Sequence, residues 1–169
     1  MQKILKLLVL FVFILIVLAA GCFAQDDGEN ATVVNDKPAA RKLLGKHRLS
    51  LQWVSWDYFG TATVTNEKCF SQKSSKKKTE RCYRLRGKQS GRGNTDFVTV
   101  NGLILAIDAK EFLFRGEIKT QVSHINNGKP CVRSGDFTFR ITGNRRYWRL
   151  KEMDNPCDPV ADYVDIYFR

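Results

Sequence analysis

The chain has 169 residues, with 28 Lys+Arg against 17 Asp+Glu, two His and five Cys, and a formal charge of +11. That length holds one ordinary domain, and 43% hydrophobic with 11% aromatic residues excludes a disordered chain. The cationic excess calls for a negatively charged partner or for a solvated surface, and its distribution along the chain separates the two.

The N-terminus reads as an export signal over residues 1–24. Lys3 and Lys6 precede an apolar run from Leu7 to Ala20, which closes on Ala19, Ala20, Gly21 and then Cys22. A positive start, an apolar middle and a small-residue exit are what a signal peptidase pathway recognises. Two cuts stay open. Cys22-Phe23-Ala24 before Gln25 fits the small-x-small rule loosely. Leu18-Ala19-Ala20-Gly21-Cys22 resembles a bacterial lipobox, although the preferred Leu sits one residue early. That resemblance implies a lipid on Cys22 and a tether to a membrane surface. Both cuts leave Cys69, Cys82, Cys131 and Cys157, an even set suited to disulfides in an oxidising compartment. With no Cys-x-x-Cys, redox and zinc-ribbon chemistry have no motif here.

Residues 25–46 are polar and without periodicity, and read as a flexible linker. From residue 47 to 169 the pattern becomes that of one β domain. Segments near 49–58, 60–66, 81–87, 96–100, 103–108, 111–122, 131–142, 145–152 and 162–168 alternate apolar and polar side chains and are rich in Val, Ile, Phe, Tyr, Trp and Thr. No window carries a helical stripe. The expected fold is all-β: an antiparallel meander closing as a barrel or sandwich of about eight strands with two disulfides.

Three turns set the connections. Asn101-Gly102, Asn127-Gly128 and Gly143-Asn144 each offer the positive φ that two-residue hairpins need. In the last hairpin, a two-residue loop pairs Arg140 with Tyr147 and Phe139 with Trp148. One face then holds Phe137, Phe139, Ile141, Trp148 and Leu150. The other holds Thr138, Arg140, Thr142, Arg145, Tyr147 and Arg149, with Lys151 beyond. Burial of the first face fixes that parity. Carried outward, the register brings Cys131 beside Cys157, within the few ångströms a disulfide spans, and leaves Cys69 for Cys82. In the terminal segment Val164, Ile166 and Phe168 face the core, while Tyr163, Asp165 and Tyr167 face out, and this strand closes the sheet.

The charge is concentrated in two places. Residues 73–92 carry Lys73, Lys76, Lys77, Lys78, Arg81, Arg84, Arg86, Lys88 and Arg92 against Glu80 alone. Here a basic loop and strand for an anionic ligand competes with a solvated loop that blunts a sheet edge. Residues 140–151 carry five cations and no acid, and five acids follow in 152–169. Arg140, Arg145, Tyr147, Arg149 and Lys151 on one strand face form the candidate ligand-binding surface, since arginines interleaved with an aromatic bind planar anions and stack.

No catalytic constellation can be assembled. His47 and His124 stand outside any metal-spaced cluster, and no nucleophile elbow or phosphate loop is present. The acids after residue 151 do not match an EF-hand. No cofactor or metal is expected. The reading is an exported, disulfide-bonded, non-enzymatic β domain of the cell envelope, periplasmic or at the cell surface. It binds an anionic or amphipathic ligand through its basic face. The alternative is a protein–protein module, such as an inhibitor of an acidic envelope partner. An intracellular nucleic-acid role is not expected for an exported chain.

Overall fold

The computed structural model describes residues 31–70 and 79–169. The signal segment, Cys22 and Lys76, Lys77 and Lys78 of the basic loop lie outside the described residues. Among those described are nine strands and one helix: β1 (Val33–Val34), α1 (Lys37–Leu43), β2 (Gly45–Leu51), β3 (Gly60–Phe70), β4 (Thr79–Ser90), β5 (Phe97–Ile107), β6 (Glu111–Gln121), β7 (Cys131–Arg140), β8 (Tyr147–Leu150) and β9 (Val164–Tyr167).

Strands β2 to β9 pair antiparallel in chain order, and β9 pairs back onto β2, so eight strands form a closed barrel. Closure removes the sheet edges that an open β protein must guard. An eight-stranded barrel has an interior just wide enough for side chains. Phe112, Phe114, Phe139, Leu49, Leu85, Ile104, Leu150, Val164 and Ile166 fill it, each at 0% exposure. Phe112 stacks on Phe139 at 5.0 Å and meets Trp148 edge-on at 5.9 Å. The two disulfides are Cys69–Cys82 and Cys131–Cys157, with Cα separations of 5.8 and 6.0 Å.

The linker expectation for 25–46 is corrected over its second half. Val33 and Val34 pair parallel with Ala106 and Ile107 of β5. Thr32 inserts where β4 and β5 part: its hydroxyl donates to Ile104 O at 2.6 Å and accepts from Tyr83 N at 2.8 Å. Helix α1 begins at Asp36, whose side chain accepts from Ala39 N, with a proline in the first turn. It buries Ala39, Ala40 and Leu43 against the core. Seven residues with three apolar positions are too short to show a helical stripe, and tertiary burial holds the helix rather than propensity.

Two turns are corrected as well. Asn101-Gly102 lies inside the unbroken strand β5, with Gly102 opposite Gly116 of β6. A Cβ on Gly102 would lie 2.2 Å from Arg115 O and 2.8 Å from the Phe114 ring, and one on Gly116 would lie 2.6 Å from the same ring. These glycines let Phe114 lie against the sheet; they do not reverse the chain. Asn127-Gly128 does turn the chain, as a short 3₁₀ segment with Asn127 at φ +54°, but inside a nine-residue connection rather than a tight hairpin. The last hairpin is shifted by two: Phe139 pairs with Leu150 and Arg140 with Arg149. A shift of two preserves the side-chain parity, so Phe137, Phe139, Trp148 and Leu150 are buried as anticipated. The first predicted strand, 49–58, ends at Leu51, and a turn follows through Trp53 and Val54.

Candidate functional site

Because β8 is short, its flanking segments determine what surrounds the basic face. Residues 141–146 loop out before it, and the irregular stretch 151–163 follows it. On the outer side, Arg140, Arg145, Arg149 and Lys151 converge on one groove of about 220 Å³, with Thr142, Met153 and Tyr163 among its other walls. Four of the five residues anticipated for the basic face therefore share one depression. The fifth, Tyr147, lies beside it: the Arg145 and Arg149 guanidiniums sit 5.6 and 5.3 Å from its ring. Its cross-strand partner is Tyr167, not Arg140.

The four cations are not equivalent. Arg149 forms a fork-on-fork pair with Asp165, both N–H···O distances being 2.7 Å. That hydrogen bond holds the guanidinium above its ordinary value. It also explains why Asp165, expected to face solvent, is only 4% exposed: Arg149 covers it. Arg140 is paired with Glu111, its direct cross-strand neighbour on β6. Arg145 and Lys151 have no carboxylate partner among the described residues and are exposed. The groove therefore holds two anchored arginines and two cations free to meet an anion.

The second basic segment sits elsewhere. Arg84 and Arg86 lie on the outer face of β4, four strands from β8 in an eight-strand ring, and so on the opposite side of the barrel. Both contact Glu67 of β3 at 3.3 Å. The hydrogen bond from Thr65 first, and then Arg84 and Arg86, hold its carboxyl below its usual value. Arg81 is exposed and reaches Asn66 at 3.4 Å. These residues form an ion-paired wall rather than a continuation of the groove.

The acidic tail has a structural use that local sequence spacing did not reveal. Asp162 accepts from Arg133 Nη2 at 3.3 Å and from Asn155 Nδ2 at 3.0 Å. Arg133 also donates to the carbonyls of Glu152 and Asp154. Burial pushes the Asp162 carboxyl up and the Arg133 guanidinium down, each opposed by the other's charge. Asp158 caps Asn126 N at 2.6 Å. With Cys131–Cys157, these bonds pin the stretch 151–163 that carries Lys151 and Tyr163. The available signal was parity: position 133 shares the inward face of Phe137 and Phe139, so its charge needed a buried acid. His47, which is buried, bonds through Nδ1 to Tyr167 O and through Nε2 to Leu43 O, tying α1 to β9. His124 is exposed against Trp53. Among the described residues no group of three or more His, Cys, Asp or Glu is placed to hold a metal, and no helix is long and apolar enough to cross a membrane.

The profile of the PM1083 family matches residues 31–168, from the Thr32 insertion to the end of the closing strand. Uncharacterized protein PM1083 of Pasteurella multocida (strain Pm70) is 45% identical over 127 residues, which cover 75% of this chain and 74% of that protein. No solved structure matches the chain.

Proposed function

The chain belongs to the PM1083 family, and on that premise we propose that this member is a non-enzymatic binding domain of the cell envelope that takes an anionic or amphipathic ligand in the β8 groove. The observation that carries this reading is the convergence of Arg140, Arg145, Arg149 and Lys151 on one depression, with Glu111 and Asp165 answering two of the four charges. Arg145 and Lys151 supply the unanswered charge, and Arg149, locked by Asp165, supplies a rigid planar donor. Two disulfides agree with an oxidising, exported location. A lipid on Cys22 would hold the barrel near the membrane. The barrel interior supports a surface site, since the described axis is packed with side chains.

Backbone amide shifts followed during titration with sodium sulfate test the site. Movement should concentrate in 140–151 and 163, and weaken several-fold on raising ionic strength from about 50 mM to 500 mM, where the screening length shortens. Arg145→Ala/Lys151→Ala should abolish it. Shifts that ignore both salt and the double substitution would falsify the groove as an anion site.

A further inference from the structure

The groove does not end at Tyr163. The same side chain is one wall of a second depression of about 330 Å³, whose other walls include Gln52, Trp53, Trp56 and Val160. Trp56 is 75% exposed, the highest value among the described large apolar side chains. The frame around it is pinned. Gln52 Nε2 and Trp53 Nε1 both donate to Ala161 O, at 2.6 and 3.2 Å, and Gln52 Oε1 accepts from Tyr163 N at 2.7 Å. Arg149 lies over the Tyr163 ring at 4.3 Å, so the aromatic cleft and the basic groove share a wall.

Toward the other end of β9 the pattern continues. Tyr147 and Tyr167 are 5.0 Å apart, and Tyr167 and Phe59 are 5.1 Å apart. Arg48 lies over Phe59 at 4.5 Å and over Tyr167 at 5.4 Å, at the lip of a third depression with Lys46 and Arg169. Arg48 and Lys46 are exposed and have no carboxylate partner among the described residues. Aromatic rings and cations thus lie side by side across β2, β9 and β8 and into the Trp56 cleft, with Lys46, Arg48 and Arg145 unanswered and Arg149 held by Asp165.

We propose that this stripe binds a linear acidic oligosaccharide, a proposal that rests on the anion-binding reading of the β8 groove. A pyranose ring has an apolar C–H face and a polar rim, so it lies flat on an exposed indole while its acidic group reaches a neighbouring cation. The cleft is near the small end of ligand sites, with room for a ring-sized group rather than a lipid tail. Apolar exposure here is concentrated at Trp56, with Phe59 at 36%, which is less than the continuous apolar face that an interfacial membrane-binding element buries. The two disulfides favour an oxidising, exported compartment, away from intracellular nucleic acid.

Isothermal titration of the protein with a galacturonic-acid octamer, its neutral methyl ester, an eight-nucleotide oligothymidylate, phosphatidylglycerol vesicles and sodium sulfate decides the question. The acidic octamer should bind at least about tenfold more tightly than the methyl ester or the oligonucleotide, and Trp56→Ala should weaken it roughly tenfold, as loss of one stacked ring does. Trp56→Phe should restore most of the affinity. Because Trp56 is a surface side chain, the thermal midpoint of the Ala variant should stay near wild type. Equal or tighter binding of the oligonucleotide or the vesicles overturns the glycan, as does an octamer indifferent to Trp56→Ala. In those cases sulfate binding that is lost in Arg145→Ala/Lys151→Ala still upholds the groove. Failure of every anion to bind removes both readings.

Discussion

Arg133 and Asp162 show what a single buried pair does in this fold. Their side chains are 8% and 1% exposed, so neither charge can be left alone cheaply. Arg133→Met at pH 7 should cost about 3–5 kcal/mol, the range for breaking a buried pair. The sign of its pH dependence follows from Asp162, whose carboxyl burial already pushes above its ordinary value. A raised folded value means a contribution that is fully present below the unfolded carboxylate range and is lost as pH rises through the folded value. Arg133 opposes that rise, so removing it steepens the loss. Urea midpoints should show Arg133→Met closer to wild type at pH 4 than at pH 7. Adding Asp162→Asn should remove most of that pH dependence and recover part of the stability. A deficit in Arg133→Met that is the same at both pH values would mean that Asp162 does not titrate against Arg133.

The β5–β6 pair marks the boundary between what local sequence reveals and what only packing decides. Gly102 and Gly116 face each other beneath the Phe114 ring, with backbone atoms 2.2–2.3 Å from where a Cβ would stand. Gly102→Ala or Gly116→Ala should each destabilise by roughly 1–3 kcal/mol through overpacking, whereas an alanine at exposed Gly93 meets no atom and pays only for its positive φ. Thermal melts of the three variants check the order. Asn-Gly is the strongest short hairpin signal, and Asn101-Gly102 carried it at the centre of an eleven-residue strand because the glycine answers a long-range contact with Phe114. Period-two alternation, by contrast, is local. It made the all-β class and the inward faces of β7, β8 and β9 legible. The hairpin register, although two residues off, still brought Cys131 beside Cys157, and Cys69–Cys82 followed by elimination. The basic face of the site was legible by the same alternation. The aromatic cleft was not: Trp53 and Trp56 stand in a turn, and Val160 and Tyr163 reach them from more than a hundred residues later. Helix α1 escaped for the opposite reason, being too short to repeat any pattern.

At the scale of the whole barrel, the two disulfides play different parts, and that difference separates stability from binding. Cys69–Cys82 joins β3 to β4, on the side of the ring away from β8. Cys131–Cys157 joins the start of β7 to the irregular stretch that supplies Lys151, Met153 and Tyr163 to the groove and Val160 and Ala161 to the cleft. Each closes a loop, over sequence separations of 13 and 26, and each should contribute about 2–4 kcal/mol by restricting the unfolded chain. Replacing either pair by alanine should therefore lower the urea midpoint by a comparable amount. Ligand affinity should divide them. Without Cys131–Cys157, the stretch 151–163 keeps the Arg133–Asp162 knot, the Asp154–Ala161 bridge and the Asp158 cap, but it loses the covalent tie to β7. Part of the affinity must then go to ordering Lys151 and Tyr163, and sites of this kind bind best when preorganised. Titration with the acidic octamer should show Cys131→Ala/Cys157→Ala several-fold weaker than wild type and Cys69→Ala/Cys82→Ala unchanged. Equal weakening in both variants would mean that the groove senses global stability alone, and that the stretch after β8 is not its positioning element.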